Sequence, residues 1–136
     1  MRSKWYSFAA LLVIAAGLLN VPSCARSQQL VSIAISPTGG FVFGGFGAQG
    51  QFTAAGTYIH PPETKDITDK VVWSLDIANF ATLTQTGQIT YTRNDGCGSG
   101  QVSATIYSKP NDPTAGNEIS ASAPVSGGNV GSPNCL

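Results

Sequence analysis

From residue 30 onward, apolar and polar positions alternate in short runs. Val31, Ile33 and Ile35 share one parity, with Ser32, Ala34 and Ser36 on the other, until Pro37-Thr38-Gly39-Gly40 stops the run. Phe52, Ala54, Gly56 and Tyr58 alternate with Gln51, Thr53, Ala55 and Thr57. Val71, Trp73 and Leu75 follow, then Phe80 to Leu83, then Ile89 and Tyr91 after the Thr86-Gly87-Gln88 turn. Val102, Ala104 and Ile106 form the next set, and Ile119, Ala121, Ala123 and Val125 the last. A period of two sends successive side chains to opposite faces, so each run buries one face and wets the other. About seven short strands separated by turn residues predict an all-β sandwich or barrel. Ala54, Ala104, Ala121 and Ala123 are small enough to let two sheets approach closely. The bulk of the core is therefore expected from Phe52, Trp73, Phe80, Ile89, Val102 and Ile106. Residues 126–136 are rich in Gly and Ser, lack periodicity and read as a loop-like tail.

The N-terminus has a different pattern. Arg2 and Lys4 precede an uncharged apolar run from Phe8 to Leu19, which ends at Asn20 and Pro22. A basic start and a short apolar stretch are the parts of a secretory signal, expected over residues 1–23. The run is too short for a span, which needs roughly 20 apolar residues. Val21-Pro22-Ser23-Cys24 resembles a bacterial lipobox, although Pro22 is unusual there, and it makes Cys24 the expected lipidation site. A rival cut after Ala25 also has small residues at the positions a signal peptidase reads. Residues 24–29 are then a polar spacer. The chain is expected to be exported to the cell envelope, held at the membrane through an N-terminal lipid if Cys24 is modified and otherwise periplasmic or secreted.

Charge narrows the partners. From Cys24 onward, five basic residues (Arg26, Lys65, Lys70, Arg93, Lys109) stand against seven acidic ones (Glu63, Asp66, Asp69, Asp76, Asp95, Asp112, Glu118), a balance of −2. Nucleic-acid binding needs a concentrated positive face to displace counterions, and no two basic residues are adjacent in this stretch. Nucleic acid is excluded as a partner.

The order of the strands and turns resembles a known module. Ile33-Ala34-Ile35-Ser36-Pro37 leads through glycines to Gln51-Phe52-Thr53-Ala54-Ala55-Gly56-Thr57-Tyr58. Thr64-Lys65-Asp66-Ile67-Thr68 and Val71-Val72-Trp73-Ser74 follow, then Ala81-Thr82-Leu83, Thr86-Gly87-Gln88-Ile89-Thr90 and Val102-Ser103-Ala104-Thr105-Ile106. Residues 30–125 thus resemble the bacterial immunoglobulin-like domain of the second group, the module repeated in intimins, invasins and other surface proteins. The resemblance implies an immunoglobulin-like β-sandwich of about seven mostly antiparallel strands, with Trp73 filling the space between sheets. It also implies a role in surface interaction or adhesion. The cysteines, the Gly96-Cys97-Gly98-Ser99-Gly100 segment and the single copy depart from the family pattern, and a lone module is too small for a stalk.

Few residues suggest chemistry. Gly45-Phe46-Gly47-Ala48-Gln49-Gly50 fits G-x-G-x-x-G, but a dinucleotide loop must open a helix, and an alternating strand pattern follows here. His60, the only histidine, lies beside Pro61 and Pro62 without ligand-spaced neighbours, and no serine sits in a nucleophile elbow. Glu63, Asp66 and Asp69 recur every three residues, interleaved with Lys65 and Lys70, and read as a solvated loop. Phe41, Phe43 and Phe46 fit strand-edge packing better than a ligand platform. No catalytic, cofactor or metal site is expected.

Three cysteines remain to be assigned, Cys24, Cys97 and Cys135. With Cys24 lipidated or removed, Cys97 and Cys135 are left in an oxidising compartment. Cys97 is expected in the loop before the Val102 strand. The Ile119 strand returns to that same end of the sandwich, so a Cys97–Cys135 disulfide tying back the tail is predicted. The leading functional expectation is a non-catalytic envelope module that binds a surface protein or glycan. The alternative is a carbohydrate- or calcium-binding domain using the loops around Phe41–Phe46 and Glu63–Asp69.

Overall fold

The computed structural model describes residues 28–94, 96–108 and 116–128. The expected signal (1–23), Cys24, Cys135 and the tail beyond Gly128 lie outside these residues. Within them all regular structure is strand: β1 (Gln29–Ser36), β2 (Phe41–Phe43), β3 (Gln49–Gln51), β4 (Thr53–Ile59), β5 (Glu63–Asp66), β6 (Val72–Leu75), β7 (Ala81–Leu83), β8 (Gln88–Tyr91), β9 (Cys97–Tyr107) and β10 (Glu118–Gly128). They form three sheets, ordered β1-β4-β5, β3-β8-β7 and β2-β10-β9-β6. Pairing is antiparallel throughout except between β2 and β10, which run parallel. The two three-stranded sheets abut where β3 runs into β4. The inward residues of these sheets meet those of the four-stranded sheet in one core, an arrangement consistent with a β-sandwich.

Phe52, Trp73, Phe80, Ile89 and Val102 are buried in that core. Ile106 is only half-buried and packs against the core's margin. β6 begins opposite Thr105, so Ile106 lies beyond the β6–β9 pairing.

More strands are present than the alternation predicts, for physical reasons. The run Gln51–Tyr58 is not one strand: β3 pairs with β8, whereas β4 pairs with β1 and β5. The break falls at the fully buried Phe52, whose N–H donates to the Gly87 carbonyl at 2.9 Å. Val31 was expected inward with Ile33 and Ile35, yet it is 42% exposed and Leu30 is buried instead. The β1–β4 register slips between Leu30 and Ser32, and one inserted residue reverses the faces upstream of it. Gln29, assigned to the spacer, already belongs to β1, and Glu63–Asp66, read as a loop, form β5.

At the other end, glycine lies in strands. Residues 97–100 are the start of β9 and not a loop, and Ser126–Gly128 are the end of β10 and not part of the tail. These two stretches pair with one another, Cys97 opposite Gly128 and Gly98 opposite Gly127. A Cβ on Gly98 would lie 2.4 Å from the Phe80 side chain, and one on Gly127 would lie 2.5 Å from the Tyr91 ring. Here glycine admits aromatic rings against the strand backbone, a second reason for glycine in a strand besides turning.

Exposed edges are blunted. On β5, Lys65 pairs with Glu63 at 3.0 Å and donates to Gln28 at 2.8 Å, placing charge along the edge. On β6, the Gln85 side chain completes the edge as a strand would: its Oε1 accepts from Trp73 N–H at 3.3 Å and its Nε2 donates to Trp73 O at 3.1 Å. Gln85→Ala is expected to lower stability by about 1–2 kcal/mol, the worth of two neutral hydrogen bonds at a part-buried edge. Urea denaturation measures it, and an unchanged midpoint would mean that water substitutes fully for the amide.

Candidate functional site

Most side chains of the clusters named from the sequence are engaged within the fold. Phe43 is buried and stacks on Tyr91 at 6.0 Å, and Phe41 meets Phe52 edge-on at 4.9 Å. Phe46 alone of the three aromatics is exposed, at 63%. The three therefore do not form a common platform. In the acidic segment, Glu63 accepts from Gln28 at 3.0 Å and pairs with Lys65, and these contacts hold its carboxyl below the usual range. Asp66 Oδ1 accepts from the Thr68 hydroxyl at 2.6 Å and from its N–H at 2.9 Å, which lowers that carboxyl as well. Both acids are used in fixing β5 and the turn after it. His60 is exposed at the tip between β4 and β5, with a left-handed φ of 63°. Gly45–Gly50 joins β2 to β3, two strands of different sheets.

The concave feature with a coherent chemistry lies elsewhere, at one end of the four-stranded sheet. It is a groove of about 500 Å³ whose lining comes from β2, β10, β9 and the residues just after β6. Its floor is built of small groups, Ser99 and Gly100 on β9 and Pro124 and Ser126 on β10. One wall is β2, where Val42 is 85% exposed; the other holds Ile77, which is 46% exposed. Val42 is out in solvent because the alternation of β2 sends Phe43 inward. Asp76 stands beside Ile77, and its position is fixed twice. Its N–H donates to the Gln101 carbonyl at 3.2 Å, and its Oδ1 accepts from Gln101 N–H at 2.7 Å. Among the described residues the second carboxylate oxygen, Oδ2, makes no hydrogen bond or ion pair.

Compared with known proteins, the chain matches no family model and no curated protein. The groove must therefore be read from its own geometry.

The groove combines apolar walls, a small-residue floor and one pre-positioned carboxylate. Neither Val42 nor Asp76–Ile77 stood out in the sequence, because residues 42, 77, 100 and 125 become neighbours only through sheet pairing. The available signal was Val42 itself, a branched aliphatic between two inward phenylalanines, and hence on the outer face.

Cys97 is disulfide-bonded. Its partner lies outside the described residues, where Cys24 and Cys135 both fall.

Proposed function

We propose that this chain is a non-catalytic, immunoglobulin-like module of the cell envelope, which works by presenting the β2–β10–β9 groove to a surface partner. The observation that carries the reading is the pair of exposed aliphatic side chains, Val42 and Ile77, which line one concavity together with small residues. Single exposed apolar residues are ordinary; two that line the same concavity beside a fixed carboxylate support its reading as a contact surface.

The immunoglobulin-like part of the reading is supported by strand partnership. β1 pairs with β4, β3 with β8 and β8 with β7, while β6 pairs with β9 and β9 with β10. Taking β1/β2 as the first strand and β3/β4 as the second gives one A-B-E-D layer and one C-F-G layer, with β5 an addition. Trp73 then occupies the central position on the third strand. The envelope location rests on the signal and lipobox patterns of residues 1–24.

The test is binding of the labelled mature protein to isolated envelopes of the producing cells. Saturable binding is expected, with the double variant Val42→Lys, Ile77→Lys weakened at least about tenfold, the size of losing an apolar contact at each wall. Both substitutions are at exposed positions, so an unchanged melting temperature is the control. Protease treatment of the envelopes should abolish binding. Loss on periodate oxidation instead would transfer the partner to glycan, and equal binding by wild type and double variant would sink the groove as the site.

A further inference from the structure

We infer that the partner segment is an extended peptide carrying a basic side chain next to branched aliphatic ones. This rests on the groove being the binding site and adds the chemistry of its occupant. Three features of the groove select that chemistry.

The first is charge. Asp76 is the carboxylate of the groove, and it is held by Gln101 through one oxygen while Oδ2 is left without a partner among the described residues. A carboxylate already oriented by the backbone loses little freedom when a cation arrives, and an incoming guanidinium or ammonium completes its hydrogen bonding. The second is the character of the walls. Val42 and Ile77 are aliphatic, while the Phe41 ring is committed to Phe52 and Phe43. Carbohydrate faces stack on open aromatic rings, and the one aromatic residue of the lining, Phe41, has its ring engaged in that packing, so aliphatic side chains fit the groove better. The third is span. From β2 across β10 and β9 to β6 are three strand spacings, about 14 Å. That is the length of about four residues of extended chain, in which residues two apart share a face, so a basic group and aliphatic groups two residues from it turn to the groove together.

The mature chain, labelled with nitrogen-15, is titrated with three probes: acetyl-Val-Ser-Arg-Ser-Val-amide, the same peptide with Glu in place of Arg, and maltopentaose. The arginine peptide is expected to shift the backbone amide signals of Ile77, Gly100, Gln101 and Ser126 saturably. The glutamate peptide should bind at least about tenfold more weakly, the difference a charge-assisted hydrogen bond makes. Asp76→Asn, which keeps an acceptor for Gln101, should bring the two peptides together, and added salt should do the same. Equal binding of both peptides to the wild-type groove would overturn the basic partner while leaving the groove as a binding site. Shifts with maltopentaose and with neither peptide would assign the groove to glycan. Shifts with none of the three at these amides would overturn both the partner and the groove.

Discussion

Trp73→Ala is expected to destabilise the domain by about 3–5 kcal/mol, the range for removing a large buried aromatic. Trp73 is 3% exposed, lies 6.2 Å from the Phe52 ring, and donates from its indole N–H to the Thr68 carbonyl at 2.9 Å. Three losses combine in the substitution. The apolar surface of the indole is no longer buried, a void opens between the sheets, and the Thr68 carbonyl loses its donor. Gln85 remains bonded to the Trp73 main chain, so the β6 edge itself survives, and the damage belongs to the side chain. Domains of this size are stable by about 5–15 kcal/mol, so the variant should sit near the limit of folding. Urea denaturation at constant slope is the measurement. Trp73→Phe separates the causes: it keeps most of the packing, loses the hydrogen bond, and should cost clearly less. A loss below about 1 kcal/mol in the alanine variant would mean that the sheets close over the gap, and that the core does not depend on this ring.

The position of Trp73 was legible because it falls on the inward parity of a strand between clear turns. The same logic reached Ile33, Ile35, Phe52, Ala54, Ile89, Tyr91, Val102, Ala104, Ala123 and Val125, all of which are buried. It failed wherever the rule of two is interrupted by something outside the run. The bulge in β1 moved Val31 to the surface, the buried Phe52 divided one strand between two neighbours, and the ring of Phe80 made a strand of a glycine segment. None of these has a signature in local alternation, because each depends on what lies opposite. The groove was hidden for the same reason. Its walls come from β2 and from the residues after β6, which approach only because β10 pairs with β2 on one side and β9 on the other. Sequence proximity pointed instead to the aromatic cluster and the acidic series, of which Phe41, Phe43, Glu63 and Asp66 are engaged in holding the fold.

The second large effect concerns Cys97, whose disulfide partner we expect to be Cys135. The strand directions carry the argument. Cys97 opens β9 opposite Gly128, at the end of the sandwich where Phe43 and Tyr91 also lie: Gly127 pairs with Phe43 and the Tyr91 hydroxyl donates to the Gly96 carbonyl at 3.2 Å. Cys135 follows Gly128 by seven residues, a reach of roughly 23 Å at most. The other candidate enters from the opposite end. β1 starts at Gln29 opposite Ile59, and the chain must climb β1 and then β2 before it reaches the level of Tyr91. Those two strands, of eight and three residues, rise about 36 Å together, whereas five residues from Cys24 to Gln29 reach only about 17 Å. A Cys97–Cys135 bridge closes a loop of about 38 residues. In the chain-entropy account it is worth about 4 kcal/mol, less any strain in the folded state. It would also pin the ends of β9 and β10, which hold the groove floor. Peptide mapping without reduction should recover Cys97 and Cys135 in one linked fragment. Cys135→Ser should expose a titratable thiol at Cys97 and lower stability by that amount. A fragment linking Cys97 to Cys24 would overturn the pairing and, with it, the lipid on Cys24.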